Sequence, residues 1–495
     1  MRSPLSPLVL ALTAGGLSMV SDRLSLTAQA APAPTAAPAT IQAPAPAPTV
    51  LRPQTVAPLP GRLDGVLMVN DNNPELITAP GVLLSTFPTA GRSHPEAHLD
   101  LALSGRFDLF SHHVYAGRPE SLSSTLWLAV LAQPRGPQPV TLRLLAGSTA
   151  LSQATDGKQP AAPFLPLPAL MPQDGAVFAG PGSRVAGELL ERQRSPLLPQ
   201  QWILRPGDVT TLLMLPLPVD GLDPLLNGRN LQLRLHSDGP LSLATVAGFG
   251  SGDQPPGQAQ WTALLNGPLS PREHSPTPRG RSGAIIYSRV SGVQIGSTWR
   301  ATLTDPAQRW LSASRAPISW PISALERGSL GTGQVQTAEL KAAYPGTAWA
   351  AHGNYGVEYD LTIPLRNNGS APVRLQLQLD SPLKHDQPLG GLRFNGTPGR
   401  AVMFRGTVEV SGLDGEAGQA AGRRRFHLVQ RSGQQGPALG TISLAVGAER
   451  QLRVRLIYPA DATPPQVLSL LPVPGTADPE APVKQSPPPQ DSRRP

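Results

Sequence analysis

The sequence predicts an all-β protein: two β-sandwich domains, immunoglobulin-like or jelly-roll-like, between disordered Pro-rich N- and C-terminal segments. Charged residues make up only 15% of the chain, against about a quarter in ordinary soluble domains. The 59 Pro and 49 Gly suit short strands joined by tight turns better than charged amphipathic helices. The third observation is hydrophobic alternation with a period of two residues, which is typical of strands with one buried face.

Alternating segments bounded by turn residues recur through the middle of the chain. Residues 231–235 (LQLRL) alternate, 237–240 (SDGP) is a turn sequence, and 241–246 (LSLATV) resumes the strand. This order predicts a β-hairpin. Helices are expected to be minor, with the best candidate at 184–194. Further strands are expected at 122–132, 140–145, 359–365, 373–379 and 451–458.

Composition shifts divide the chain into six segments. Ala/Pro-rich and Pro-rich stretches near the two ends are too poor in core-forming residues to bury a core, so they are expected to be disordered. A Pro-, Gly- and Ser-rich stretch in the middle is typical of a domain boundary. The expected order is a signal peptide at 1–30, a linker at 31–60, a first sandwich at 61–250, a loop at 251–283, a second sandwich at 284–458 and a tail at 459–495.

The first thirty residues predict export. Arg2 supplies a positive charge, an apolar stretch follows over 5–20, and Ala28-Gln29-Ala30 matches the small-x-small pattern of a cleavage site. The alternative is a single uncleaved anchoring helix, which the short apolar stretch disfavours. We expect a mature chain that starts near Ala31, lies in the periplasm or on the outer cell surface, and has no transmembrane span after cleavage.

Residue usage excludes several kinds of chemistry. The chain has no Cys, which excludes disulfides, Cys-ligated zinc, iron–sulfur clusters and a cysteine nucleophile. The formal charge is +8, and an Arg excess fits anionic partners such as phosphate or acidic polysaccharide. Because the arginines are scattered along the sequence, genome composition is the favoured explanation. Export argues against a nucleic-acid partner, and no cofactor is predicted.

Histidines cluster near the start of the predicted first domain. His94, His98, Asp100 and one of His112 and His113 offer imidazole and carboxylate groups, which are natural ligands of divalent metals. The spacing does not match H-E-x-x-H, and ordinary strand and loop polarity is the favoured explanation. A metal site at these residues is therefore a secondary hypothesis.

Three further loops contain residue types found in binding sites, but none of them matches a catalytic motif. Residues 70–75 (NDNNPE) lack the calcium-loop pattern and predict a turn. Residues 178–184 (FAGPGSR) match no phosphate-binding motif and predict a turn with Ser183 as a helix N-cap. The stretch from His352 through Asn354 and Tyr355 could line a binding groove, although a structural role like that of a tyrosine corner is favoured.

Several of these stretches together resemble a secreted cyanobacterial family catalogued only as a domain of unknown function. The resemblance extends over about 61–470. It implies export and a single full-length family unit, and it carries no known activity, cofactor or catalytic residue. The segments that carry it are 112–115 (HHVY), 178–185 (FAGPGSRV), 198–206 (LPQQWILRP), 292–303 (GVQIGSTWRATL), 352–359 (HGNYGVEY) and 454–467 (VRLIYPADATPPQV).

The sequence favours an exported cell-envelope protein with a non-catalytic binding or structural role. Its partner would be the wall, an exopolysaccharide or another envelope protein. The first alternative is an envelope carbohydrate-active hydrolase that uses carboxylates near the His cluster or in the Trp-rich second half. The second alternative is a periplasmic metal-binding protein that uses the His cluster.

Overall fold

A computed structural model of the chain describes residues 48–118, 122–153, 170–172, 180–273, 275–278, 281–284, 286, 289–347, 353–416 and 420–474. The structure is 49% strand and 7% helix, which confirms the all-β class. The predicted signal peptide, residues 31–47 of the predicted linker and residues 475–495 of the predicted tail lie outside the described residues.

Ten strands form the largest sheet, called the large sheet below. Its main path runs β10-β8-β12-β6-β4-β13-β17, and β5, β7 and β11 join it through β12 and β7. The members are β4 (Leu67–Asp71), β5 (Gly81–Ser85), β6 (Leu103–Ala116), β7 (Leu126–Pro134), β8 (Val140–Leu151), β10 (Gln201–Leu204), β11 (Thr210–Leu217), β12 (Leu226–Phe249), β13 (Ser291–Ile295) and β17 (Leu340–Ala343).

Strand β12 corrects the predicted hairpin at 231–246. The chain does not reverse at 237–240; it continues as one strand of 24 residues with a register shift between Ser237 and Leu241. Before the shift β12 pairs with β6 and β8. After it β12 pairs with β5 and β7 and keeps one pairing with β6, at Leu241. Residues that favour a turn here form a bulge, because partner strands on both sides hold the chain extended.

An eight-stranded sheet runs in the order β3-β14-β18-β24-β21-β22-β9, with β15 beside β18. A five-stranded sheet runs β2-β16-β25-β19-β23, and β1 pairs with β20 in a separate ribbon. The eight-stranded sheet contains β3 (Arg62–Leu63), β9 (Leu170–Pro172), β14 (Thr298–Thr302), β15 (Leu311–Ser312), β18 (Glu358–Arg366), β21 (Val402–Ser411), β22 (Arg424–Arg431) and β24 (Glu449–Ile457). The others are β1 (Thr49–Pro53), β2 (Thr55–Val56), β16 (Ile318–Ile322), β19 (Val373–Asp380), β20 (Gly391–Asn395), β23 (Ala438–Leu444) and β25 (Gln466–Pro472).

Alternate residues of the eight- and five-stranded sheets pack into one core. Leu361 and Val454 from the first sheet belong to the same buried cluster as Leu377 and Leu468 from the second. This is the packing expected of a sandwich. The division into two domains nevertheless stays a prediction, since β13 and β17, which follow the expected loop at 251–283, pair within the large sheet.

The predicted disorder is corrected at both ends where the structure describes them. Strand β25 lies inside the predicted tail, between β16 and β19, and Leu468 and Leu470 are fully buried in the core. Strands β1 and β2 lie inside the predicted linker. The Pro-rich residues around these short apolar runs led to the prediction of disorder. Each run is ordered because a neighbouring strand supplies its hydrogen bonds.

Two α-helices accompany the sheets in the described part of the chain. Helix α1 (Pro181–Leu190) overlaps the predicted 184–194 but begins and ends earlier. Helix α2 (Gln258–Leu265) was not predicted; it lies in the expected inter-domain loop and buries Trp261 completely. Short 3-10 turns occupy Pro95–Ala97 and Ala313–Arg315. Within the described ranges, none of the helices has the length and apolar character needed to cross a membrane.

One face of the large sheet packs against the eight-stranded sheet and helix α1, and this contact is called the seam below. Its apolar part joins Ala146 and Ala150 of β8 to Val185 and Leu189 of α1 and to Ile457 of β24. Small alanines on β8 let the helix approach the sheet closely. The rest of the seam is polar and includes the ion pairs of Glu358 with Arg234 and Arg455.

Candidate functional site

The turn after β4 brings the Asx-rich loop against the paired histidines of β6. His113 Nε2 lies 2.9 Å from Asp71 Oδ2, and His113 Nδ1 lies 2.7 Å from the carbonyl oxygen of Pro74. Both side chains are fully buried. Since both ring nitrogens are already bonded, neither is free to face a substrate or a metal ion. The pair clamps the 71–74 turn onto β6.

His112 points to the opposite face of β6, into the seam. Its Nε2 lies 3.6 Å from Glu75 Oε1, and Glu75 is also paired with Arg289. Burial lowers the pKa of His112, and nearby Asp461 opposes this effect. Its Nδ1 is buried and has no hydrogen-bond partner among the described residues. A pKa below the ordinary value leaves His112 neutral at pH 7. Among the predicted ligands, His98 Nε2 is likewise buried without a hydrogen-bond partner among the described residues.

The other predicted ligands lie around the loop after β5. His98 Nδ1 is 2.7 Å from Ser85 Oγ, and burial, followed by the charge of Arg92, lowers the pKa of His98 to about 4. His94 is bonded to Glu96 at 3.0 Å on the surface. Asp100 accepts a hydrogen bond from Arg135 at 2.8 Å.

The fold therefore gives His94, His98, Asp100, His112 and His113 separate partners. In the part of the chain that the structure describes, no three His, Asp or Glu side chains come together as metal ligands would. Tyr344 and Arg272 lie between the β5 loop and the His113 pair. The Tyr344 hydroxyl accepts a hydrogen bond from Ser85 N at 2.9 Å, and Arg272 stacks on the Tyr344 ring at 4.5 Å. The metal site stays a prediction that this geometry does not favour.

The predicted groove residues face the interior of the fold. His352 lies outside the described residues. The Asn354 amide donates to the carbonyl of Gln336 at 2.7 Å and accepts from Ala338 N at 3.0 Å. The Tyr355 hydroxyl donates to the carbonyl of Ala462 at 3.0 Å. These contacts favour the structural alternative, and the binding role of the segment stays a prediction.

Helix α1 begins at the Gly-rich loop, and its N-terminus already holds an anion from the chain itself. The Asp461 carboxylate accepts a hydrogen bond from Ser183 N at 3.1 Å, where the helix dipole favours negative charge. The Ser183 hydroxyl donates to the carbonyl of Gly180 at 2.9 Å, so the N-cap residue is Gly180 and not the predicted Ser183. A Cβ at Gly180 would lie 2.6 Å from Asp461 Oδ2, which explains the glycine.

A network of ion pairs crosses the seam beside this helix. Glu358 is bonded to Arg234 of β12 at 2.7 Å and to Arg455 of β24 at 2.7 Å, and Arg455 also bonds Glu409 at 2.8 Å. Burial alone would raise the pKa of Glu358, but the two guanidinium groups lower it below its ordinary value. A glycosidase acid needs a raised pKa, so Glu358 is unsuited to that role. These pairs could not be predicted, because their members are far apart in the sequence.

A groove of about 710 Å³ lies where the chain passes from β1 to β2, and it is called the Pro–Gly groove below. It was not predicted, because four segments distant in the sequence form it. Turn-forming residues dominate its walls, and Arg315, Ser314 and Thr55 bring polar side chains. Its lining residues are 53–56, 314–317, 330–331 and 388–391.

Comparison with known proteins places nearly all of the described body in one family. The model of a family described as protein of unknown function DUF3370 matches residues 54–472. The chain belongs to the DUF3370 family. The match confirms the resemblance at the level of a domain of unknown function, and it spans both expected sandwiches and the loop between them.

No curated protein matches this DUF3370 protein. Among solved structures, the chain is similar to the nodavirus of Macrobrachium rosenbergii, with 12% identity, a TM-score of 0.12, and coverage of 93% of this chain and 99% of that chain. A TM-score this low does not establish a shared fold.

Proposed function

We propose that this DUF3370 protein is an exported cell-envelope protein with a non-catalytic binding role, and that the Pro–Gly groove holds a segment of polysaccharide. The observation that carries the proposal is the groove itself. Its volume of about 710 Å³ falls within the range of about 300–1,000 Å³ that is common for ligand sites. The proposed partner is a wall polysaccharide or an exopolysaccharide.

The chemistry of the walls suits an uncharged or weakly charged sugar chain. Pro53, Pro317 and Pro388 supply rigid apolar surface, and Thr55, beside them, supplies a hydroxyl group. Arg315 is half exposed and lies 3.5 Å from Asp305, so its guanidinium is held at the wall by a surface ion pair. Apolar surface with a few placed polar groups is the usual composition of a ligand site.

Side chains beneath the groove are fixed before any ligand arrives. Arg52 donates to Asp380 Oδ2 at 2.5 Å and to Gln54 Oε1 at 2.5 Å. Ser469 donates to the same Asp380 oxygen at 2.6 Å, and Ser319 bonds Ser469 at 2.8 Å. A wall that is already ordered loses less conformational entropy on binding.

Export is the second part of the proposal. It is supported by the apolar stretch at 5–20, the small-x-small sequence Ala28-Gln29-Ala30 and the Ala/Pro-rich segment that precedes β1. N-terminal sequencing of the native protein is expected to find a chain that starts near Ala31. A native chain that retains residues 5–20 would contradict cleavage.

The groove is tested by filling it. Thr55 is exposed on β2, so Thr55→Trp places a large ring in the groove without disturbing the core. We expect this variant to co-sediment with isolated wall polysaccharide at least tenfold more weakly than the unaltered protein. The matched control is Val446→Trp, since Val446 is 53% exposed and lies outside the groove lining; it should bind normally.

Three outcomes would count against the proposal. Equal binding by the Thr55→Trp variant and the unaltered protein would exclude the groove as the site. Shortening of the polysaccharide during incubation would show catalysis and favour the hydrolase alternative. Capture of an envelope protein without any binding of wall polysaccharide or exopolysaccharide would show that the ligand class is wrong.

A further inference from the structure

The exposed face of the eight-stranded sheet carries a set of arginines that the groove does not use, and it is called the arginine face below. Its charged members come from four neighbouring strands, and threonine and glutamine side chains lie between them. All of them are at least partly exposed. The face contains Arg62, Arg300, Thr302, Asp360, Thr362, Arg366, Glu449, Gln451 and Arg453.

Strand register brings these side chains together. Arg300 of β14 lies directly opposite Arg62 of β3 on one side and Asp360 of β18 on the other. Arg453 of β24 lies opposite Thr362. Neighbouring strands are about 4.8 Å apart, so the arginines are close neighbours. Arg366 lies six positions beyond Asp360 on β18, roughly 20 Å along the strand.

The charges on this face do not balance. Arg453 holds Asp360 through two hydrogen bonds of 2.7 and 2.8 Å, and Arg366 lies 3.6 Å from Glu449. Arg62 and Arg300 lie directly opposite each other on the neighbouring strands β3 and β14. Neither forms an ion pair with a described residue. Like charges directly opposite each other destabilise a sheet. Arg300 also lies opposite Asp360 and acts on the same carboxylate as Arg453. Four arginines therefore face two carboxylates, and the face keeps a net positive charge that suits an anion.

An aromatic ring lies at the far end of the same face. The Arg366 guanidinium stacks over the half-buried Trp310 ring at 4.5 Å. The pair combines a cation with a flat apolar surface, and sugar rings stack on such surfaces while their acidic groups pair with the cation. Trp299 and Trp320, by contrast, are buried in the core.

We propose that the arginine face binds a linear polysaccharide that carries carboxylate groups along its length. Arginine presents a planar fork of donors that matches a carboxylate with two parallel hydrogen bonds. The hydroxyl and amide groups of Thr302, Thr362 and Gln451 lie between the arginines and suit the hydroxyl groups of a sugar chain. The inference is independent of the Pro–Gly groove, because the two sites share no residue.

Polygalacturonate is the probe, with neutral dextran for comparison, and binding to the full mature chain is measured at several salt concentrations. The decisive variant is the double substitution Arg62→Gln and Arg300→Gln. The control is Arg143→Gln with Arg205→Gln, which removes the same charge from exposed positions on and beside the large sheet. We expect salt-sensitive binding of polygalacturonate, weakened at least tenfold in the first pair and less than twofold in the control.

Equal losses in the two double variants would overturn the proposal, because binding would then depend on net charge alone. Tighter binding of inorganic polyphosphate than of polygalacturonate at equal salt would show that the ligand class is wrong. The double variant Arg62→Lys and Arg300→Lys should retain part of the affinity, which a purely structural role of these arginines does not predict. Thr55→Trp should leave polygalacturonate binding intact, so failure of the groove and failure of the arginine face are distinguishable.

Discussion

His113 and Asp71 form a fully buried pair in which the imidazole is bonded at both nitrogens, to the Asp71 carboxylate at 2.9 Å and to the Pro74 carbonyl at 2.7 Å. The Asp71 carboxylate and the Pro74 carbonyl are both hydrogen-bond acceptors, so the imidazole donates to them from its two ring nitrogens. The arrangement fixes the turn after β4 to the middle of the large sheet. Its contribution is to stability, and it can be measured.

Replacement of the carboxylate should destabilise the protein strongly. Asp71→Asn keeps the shape but leaves the buried imidazole without its anionic partner, and breaking such a pair costs about 3–5 kcal/mol. Urea denaturation should show this loss. The control is Ser111→Ala, since Ser111 reaches the same carboxylate at only 3.3 Å and such a bond contributes about 1 kcal/mol or less. Similar losses in both variants would contradict the importance of the pair.

The contribution of an ion pair to the stability of the protein should depend on how deeply the pair is buried. Arg455→Met removes the partner shared by Glu358 and Glu409. Leaving buried carboxylates without this cation should lower the free energy of unfolding by about 3–5 kcal/mol. Arg453→Met removes a cation two residues away whose side chain is 50% exposed, and an exposed pair is worth about 1 kcal/mol or less. Thermal unfolding of both variants tests the contrast. A smaller loss for Arg455 than for Arg453 would show that the seam is hydrated.

Gly356 should tolerate no side chain. It has a φ of 80°, and a Cβ there would lie 3.0 Å from Phe110 and 3.2 Å from Met68. Gly356→Ala should cost about 2–4 kcal/mol, from the left-handed backbone and the crowding together. Gly91→Ala is the control, because Gly91 has a similar φ of 74° with open space around its Cβ. Equal denaturation midpoints for the two variants would exclude the packing effect.

Stability should fall as the pH drops from about 6.5 to about 4. Burial lowers the pKa of His98 and of His427 from 6.5 to about 4. Below pH 6.5 the unfolded chain binds protons that the folded chain does not, so unfolding becomes more favourable until the folded pKa is reached. His427 contributes up to about 3 kcal/mol. Denaturation at pH 7 and pH 4.5 should show the loss, and His427→Gln should reduce it; an unchanged pH dependence in that variant would contradict the cause.

Particular elements show why sequence reasoning succeeded or failed. Period-two alternation predicted β18, β19 and β24 closely, because it records burial of one face. The turn residues at 237–240 wrongly predicted a chain reversal, because they form a bulge inside β12. Strand β25 was missed because its Pro-rich surroundings resemble a linker, whereas its order comes from the two strands that flank it.

The candidate sites, too, were predicted only in part from the sequence. The histidines and the 70–75 loop were noticed in the sequence, but their pairing as Asp71 with His113 depends on β4 lying parallel to β6. The arginine face could not be predicted, since Arg62, Arg300 and Arg453 are far apart in the chain. These arginines are scattered along the sequence, and the register of β3, β14, β18 and β24 places three of them on one face.

The amino-acid sequence by itself determined the all-β class, the absence of cysteine chemistry and the family, because composition, residue types and segment order are local properties. The tertiary structure alone decided which strands pair, which charged groups are buried and where the groove and the arginine face lie. Those features depend on contacts between residues hundreds of positions apart. Their free energy comes from burial and hydrogen bonding that exist only after the sheets have packed.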